Sequence, residues 1–233
     1  MKTAIISGAS KGIGKAAALT FAAAGYQVFN LSRSSAGIDG VYDVPIDLSG
    51  SDVREILDTA VIPKIDPLDS VVLIHNAAKL ESGGLKEVSG AMLGDILNLN
   101  VTAPQRLNHH LLPFMKQGSA IIYVGSTLSE KAVANSFTYV TSKHAVLGMM
   151  RATCQDLAGT QIHTACVCPG FTDTEMLRAH VGDNEAVLQD IASGSTFGRL
   201  VLPGEIADLL FFAAENPVIN GAVLHGNLGQ IES

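Results

Sequence analysis

Short apolar runs rich in Val, Ile and Ala recur along the chain, separated by helix-like stretches, with no fixed-period repeat and no low-complexity tract. The runs predict strands at 3–6 (TAII), 27–31 (QVFNL), 41–44 (VYDV), 70–75 (SVVLIH), 120–124 (AIIYV), 162–167 (IHTACV) and 222–224 (AVL). Between them lie predicted helices: GKAAALTFAAA, closed by Gly25 as a left-handed C-terminal residue; DVREILDTA; a long segment from about Val88 to Met115; a stretch after Tyr139 to Ala158; and GEIADLLFFAAE. Strands that are apolar throughout, rather than at alternate positions, are buried on both faces. The alternation therefore predicts one α/β domain over residues 1–233, a doubly wound parallel sheet with helices on both sides. Residues 175–200 are more polar, with three glycines and no clear strand, and read as a mobile or partly helical excursion that could act as a lid.

Composition narrows the class. At 233 residues with 47% hydrophobic and 16% charged positions, the chain can bury a substantial core. Its longest apolar stretches fall short of the roughly 18 to 20 residues that span a bilayer, so no membrane segment is expected. The opening MKTAIISGAS lacks the apolar core of a secretory signal, and a cytoplasmic location is expected. A formal charge of −7 disfavours nucleic acid and anionic membranes as partners, so any anionic ligand must be held by local groups. Of the three cysteines, Cys166 and Cys168 share an apolar run without a CxxC pattern or nearby His, and Cys154 stands alone; all three are assigned to packing. His109 and His110 are adjacent and cannot share one helix face as metal ligands do, so no metal site is proposed.

The first predicted strand runs into SGASKGIG and then a helix. Gly8, Gly12 and Gly14 form G-x-x-x-G-x-G, a variant of the dinucleotide fingerprint that meets the same need: a tight turn, close backbone approach and a helix N-terminus aimed at pyrophosphate. This points to a Rossmann-type sheet. At the end of the second strand, where an acid would bind the ribose 2′-hydroxyl of NAD, the sequence is NLSRSS. Arg33, flanked by Ser32 and Ser34 and accompanied by Lys11 in the glycine turn, suits a 2′-phosphate, which favours NADP(H). Each of these features alone also reads as an ordinary turn or surface charge.

Several motifs in order, SGASKGIG, HNAA at 75–78, Asn100 in LNLNVTA, Ser126 in YVGST, YVTSK at 139–143 and PGFTDT at 169–174, resemble those of the short-chain dehydrogenase/reductase family. GRLVLPGEIA at 198–207 and INGAVLHG at 219–226 are similar to its closing segments, so the resemblance covers nearly the whole chain. It implies Tyr139 as general acid in carbonyl reduction or base in alcohol oxidation. A free phenol ionises only near pH 10, and an ammonium one helical turn away, that of Lys143, favours its charged form. By the same resemblance Lys143 also holds the nicotinamide ribose, Ser126 hydrogen-bonds the substrate oxygen, and Asn100 holds a water linking Lys143 to solvent.

The resemblance further implies a cofactor site made by Gly8, Ser10, Lys11, Gly12, Ile13 and Gly14; Ser32 and Arg33; Asp47 with Leu48 at the adenine; Asn76 and Ala77; and Pro169, Gly170, Thr172 and Thr174 at the nicotinamide. HNAA departs from the family's NNAG, and His75 is read as packing or bonding locally. Thr127, Leu128, Ser129 and the 175–200 excursion would wall a site for a medium-sized, partly apolar carbonyl or alcohol. The family often forms homodimers or homotetramers, and the same is expected here. The reading is an NADP(H)-dependent carbonyl reductase; an NAD-dependent alcohol dehydrogenase of the same fold and a non-catalytic NADP-binding regulatory protein remain alternatives.

Overall fold

In the computed structural model, which describes residues 2–182 and 184–231, the apolar runs form one seven-stranded parallel sheet. Its strands are β1 (Thr3–Ser7), β2 (Gln27–Ser32), β3 (Val41–Pro45), β4 (Val71–His75), β5 (Ala120–Val124), β6 (His163–Pro169) and β7 (Val223–Gly226). They lie in the order β3-β2-β1-β4-β5-β6-β7. β1, β4, β5 and β6 are buried at every position. Alternate side chains feed two cores. Ile5, Leu73, Ile121, Tyr123, Cys166 and Cys168 face one, and Ala4, Ile6, Val72, Ile74, Ile122 and Val167 the other.

The helices are α1 (Gly12–Ala23), α2 (Val53–Ala60), α3 (Gly90–Leu97), α4 (Ala103–Leu111), α5 (Phe137–Asp156), α6 (Glu175–Val181), α7 (Glu185–Ser193) and α8 (Pro203–Glu215). Buried residues of α2, α4 and α5 close the first core, and those of α1 and α8 the second. As predicted, Gly25 follows α1 in the left-handed region, with φ of 83°.

Three boundaries differ from the sequence reading. The long helix over 88–115 is interrupted: α3 passes through a π turn, Asn98–Thr102, before α4 begins. Pro104 supplies the reason, because it has no N–H to give the carbonyl four residues back, that of Asn100, and the register widens so that Ala103 N–H bonds Asn98 O. The 175–200 excursion is partly helical, its bounds given by two short helices, α6 and α7, capped by the side chains of Thr174 and Asn184. α5 starts two residues ahead of Tyr139, so the Tyr139 and Lys143 pair lies in regular helix.

Chain order reverses between β1 and β4, so β1 leads to one side of the sheet and β4 to the other. The crevice outside their carboxyl ends is where open α/β sheets bind ligands.

Candidate active site

The glycine turn occupies that crevice. Gly8 and Gly12 have φ of 70° and 52°, in the left-handed region that disfavours side chains. Gly14 is required by proximity: a Cβ there would lie 2.2 Å from Gly8 O and 2.4 Å from Asn76 Nδ2. α1 starts with no side-chain cap on its first N–H groups and no acid in its first turn. A helix N-terminus left open in this way presents donors and positive partial charge to an anion. Thr174, which caps α6, packs against Gly12, where an added Cβ would meet Thr174 Cγ2 at 3.1 Å. The α6 start thus stands over the turn.

Two residues that sequence reasoning passed over shape this turn. Ser7 Oγ accepts from the N–H groups of Asn76 and Ala77, both at 3.0 Å, and ties the end of β1 to the end of β4. Asn30, fully buried in β2, accepts from Ala9 N–H at 3.0 Å and donates to Ser34 O and Asp43 Oδ1. The signal was available, since Asn is depleted in strands and an Asn inside QVFNL needs a partner. The Asp43 carboxyl is held below its usual range by hydrogen bonds from Asn30, Ser35 and Ala36, against the opposing effect of its burial.

Asn76 lies beside the turn as expected, but its amide donates to Ser7 O and Gly8 O at 3.0 and 2.9 Å. It braces the turn. Ser10 and Ile13 are half-buried and Lys11 is exposed. At the end of β2, Ser32 Oγ is engaged with the peptide groups of Ser34, while Arg33 is exposed with no hydrogen bond or ion pair among the described residues. Asp47 accepts from Ser49 N–H at 2.9 Å and so closes a local turn, and the Leu48 side chain is buried in the core.

At the other side of the crevice, α5 brings Tyr139 and Lys143 together: Lys143 Nζ lies 5.4 Å from the Tyr139 ring centroid. Lys143 is 3% exposed and donates to Val124 O at 2.8 Å, two residues before Ser126. A buried ammonium needs such partners, and two of its three donors remain for others. Ser126 caps the turn that follows β5, its Oγ accepting from Leu128 N–H at 3.1 Å, which leaves its own hydroxyl proton free to donate. Thr127 and Ser129 are buried.

Asn100, in the π turn and 2% exposed, bonds both peptide groups of Lys79 and donates to Ser142 Oγ at 3.0 Å. It joins the loop after β4 to α5, next to Lys143. At the end of β6, Pro169 pairs with Gly226 of β7, and the next residue, Gly170, bonds its N–H to Gly226 O. Thr172 pairs with Val201 through the peptide groups of Phe171 and Asp173, so its own point elsewhere.

The cysteines pack. Cys166 and Cys168 lie with sulfurs 3.8 Å apart against Gly125. The Cys168 sulfur and burial hold the Cys166 thiol well above its ordinary value, so it stays protonated. His110 faces Asp58 at 2.8 Å, and among the described residues no group of three or more His, Cys, Asp or Glu is gathered as for a metal ion.

A seven-stranded parallel sheet with this strand order, flanked by helices and with a glycine turn at its switch point, is a Rossmann-like fold. The family model described as "Enoyl-(Acyl carrier protein) reductase" matches residues 8–230. The chain belongs to the short-chain dehydrogenase/reductase family of oxidoreductases. It is 30% identical to the uncharacterized oxidoreductase YmfI of Bacillus subtilis, over 98% of each chain. Among solved structures it resembles the angucycline C-6 ketoreductase LanV with bound NADP, at 26% identity and a TM-score of 0.88, covering 98% and 95% of the two chains. A 4-hydroxyisoleucine dehydrogenase mutant complexed with NADH and succinate superposes with a TM-score of 0.87 at 25% identity, covering 98% of each chain.

Proposed function

We propose that the protein is an NADP(H)-dependent carbonyl reductase in which Tyr139 is the general acid. The observation that carries this reading is the buried Lys143 ammonium, anchored on Val124 O and 5.4 Å from the Tyr139 ring. A cation so placed stabilises the negative charge that forms on the phenol oxygen as its proton leaves. Ser126, with a free hydroxyl proton, donates to the substrate oxygen and orients it. Asn100 braces the loop and helix beside Lys143, and its own carbonyl, denied an α-helical donor by Pro104, is suited to a water that returns protons.

The residues present fit a dinucleotide. The open N-terminus of α1, with the backbone of Gly8, Ser10, Lys11, Gly12, Ile13 and Gly14, suits a pyrophosphate. Arg33 and Lys11, both exposed, with Ser32, suit a 2′-phosphate. Asp47 and Leu48 would border the adenine; Asn76, Ala77, Pro169, Gly170, Thr172 and Thr174 would border the nicotinamide end, and Lys143 its ribose. When bound, the cofactor supplies the hydride. LanV, a ketoreductase with bound NADP, supports this choice. The NADH complex of 4-hydroxyisoleucine dehydrogenase supports the second reading, an NAD-dependent alcohol dehydrogenase.

The test is loss of NADPH absorbance with a panel of benzaldehyde, ethyl acetoacetate and 2,3-butanedione. Turnover that Tyr139→Phe abolishes, with NADPH still bound, is the expected result. Near-full rate in Tyr139→Phe would overturn the mechanism, and NADPH binding without turnover of any carbonyl would favour a regulatory protein.

A further inference from the structure

Four elements that lead to candidate site residues meet at one buried polar chain. His75, the last residue of β4 and 4% exposed, has Nε2 2.7 Å from Asn108 Oδ1 on α4. Asn108 Nδ2 donates to the Tyr123 hydroxyl on β5 at 2.7 Å, and that hydroxyl lies 3.0 Å from Thr153 Oγ1 on α5. His75 and Tyr123 are also register partners across β4 and β5, with ring centroids 4.9 Å apart.

The chain has a direction. Asn108 Oδ1 can only accept, so the proton of a neutral His75 sits on Nε2. Burial lowers the His75 pKa to about 4, against the opposing hydrogen bond to Asn108, so the ring is neutral near pH 7. The Tyr123 oxygen accepts from Asn108, and either hydroxyl can donate in its bond with Thr153 Oγ1. His75 Nδ1 is then a bare acceptor, and it has no partner among the described residues. An apolar side chain in its place would leave the buried Asn108 Oδ1 without its donor, so the imidazole is tied to this position by its one bond to the chain.

What the chain does supply is register. Apolar contacts tolerate sliding of a helix over a sheet, whereas short directional hydrogen bonds do not. Each member leads to the site: β4 into Asn76 and Ala77, which brace the glycine turn; α4 from the π turn of Asn100; β5 into Val124, which anchors Lys143, and then Ser126; and α5 from Tyr139 and Lys143.

We infer that His75 is a positioning residue: through Asn108, Tyr123 and Thr153 it sets the register of α4 and α5 against β4 and β5. It thereby sets how Tyr139 and Lys143 approach whatever the glycine turn holds. The inference rests on the Tyr139 reading above.

Tyr123→Phe cuts the chain in the middle and keeps the ring; His75→Phe removes the first donor; His75→Gln restores an N–H donor. kcat is read with NADPH and the fastest carbonyl of the panel, NADPH affinity by its fluorescence, stability by thermal unfolding, and local order by amide hydrogen exchange of segments 98–102 and 137–143. Both phenylalanine variants are expected to lower kcat about ten-fold, since small misplacements of reacting groups are costly. NADPH Kd stays within about threefold, exchange in both segments quickens, and His75→Gln recovers most of the rate. The double variant is no worse than either single one, because both cut one chain.

Wild-type kcat and exchange in Tyr123→Phe, or a kcat loss that His75→Gln does not relieve, would overturn the inference. If Tyr139→Phe is inactive while both phenylalanine variants match wild type, the positioning role fails alone; if Tyr139→Phe turns over normally, the proposed mechanism fails instead. Should no carbonyl of the panel react, the exchange rates decide: unchanged rates in Tyr123→Phe refute the inference.

Discussion

Replacing Gly14 by alanine tests the glycine turn with opposing effects of known size. Gly14 lies in the first turn of α1, where alanine is favoured over glycine by about 1 kcal/mol. Against this, the new Cβ would stand 2.2 Å from Gly8 O and 2.4 Å from Asn76 Nδ2, more than ~1 Å inside ordinary contact. Overpacking of this kind costs about 1 to 3 kcal/mol. Moving Gly8 away also breaks the 2.9 Å bond from Asn76 Nδ2 to Gly8 O, and stranding a buried polar group costs about 1 to 3 kcal/mol more. The clash wins, with a net loss of roughly 1 to 5 kcal/mol, which for a domain of this size is a melting temperature lower by several degrees. NADPH affinity, measured by fluorescence titration, should fall at least about ten-fold because the displaced turn is the proposed pyrophosphate cradle. Gly94→Ala is the control: it is exposed in α3 with nothing within 4 Å of an added Cβ, and should gain about 1 kcal/mol. A Gly14→Ala protein with wild-type melting temperature and wild-type NADPH affinity would refute the argument.

Arg33→Asp should reverse the preference between NADPH and NADH in paired titrations, since it replaces an unpartnered cation at the end of β2 by an acid suited to a ribose hydroxyl; unchanged preference would remove Arg33 from the cofactor site. His75 should make the fold acid-sensitive. Its pKa falls from 6.5 to about 4 on folding, so the unfolded chain binds the extra proton between those values. The contribution, about 3 kcal/mol, is complete above pH 6.5 and is lost as pH falls through 4. Urea midpoints at pH 7 and pH 4.5 should therefore differ more in wild type than in His75→Gln, and equal differences would contradict the assignment. Asn30→Ala should destabilise by about 1 to 3 kcal/mol and weaken NADPH binding together, because it frees Ala9 N–H and Asp43 at once; loss of stability with unchanged affinity would separate it from the turn.

Much of the candidate site's geometry was legible because its requirements are local. Gly8, Gly12 and Gly14 are dictated by backbone conformation and contact within a few residues, and Tyr139 and Lys143 by the pitch of one helix. Less was legible where a residue's partner lies far away in sequence. Asn100 reads as an ordinary helix residue until Lys79 and Ser142 are seen on either side of it. Ser7 and Asn30, whose partners come from other strands and loops, went unnoticed. Asp47 and Leu48 drew attention through the resemblance alone, while in the fold one closes a turn and the other fills the core.

The amino-acid order by itself determined that seven apolar runs would form strands, that helices would alternate with them, that a glycine turn would follow the first strand, and that Tyr139 and Lys143 would share one helix face. These follow from hydrophobic continuity and from interactions within a turn or two of chain. Only the tertiary structure decided the strand order that brings β1 beside β4, the widening of the helix at Asn100, and the polar chain from His75 to Thr153. A hydrogen bond between distant residues leaves no period in the sequence, because its partners are chosen by packing.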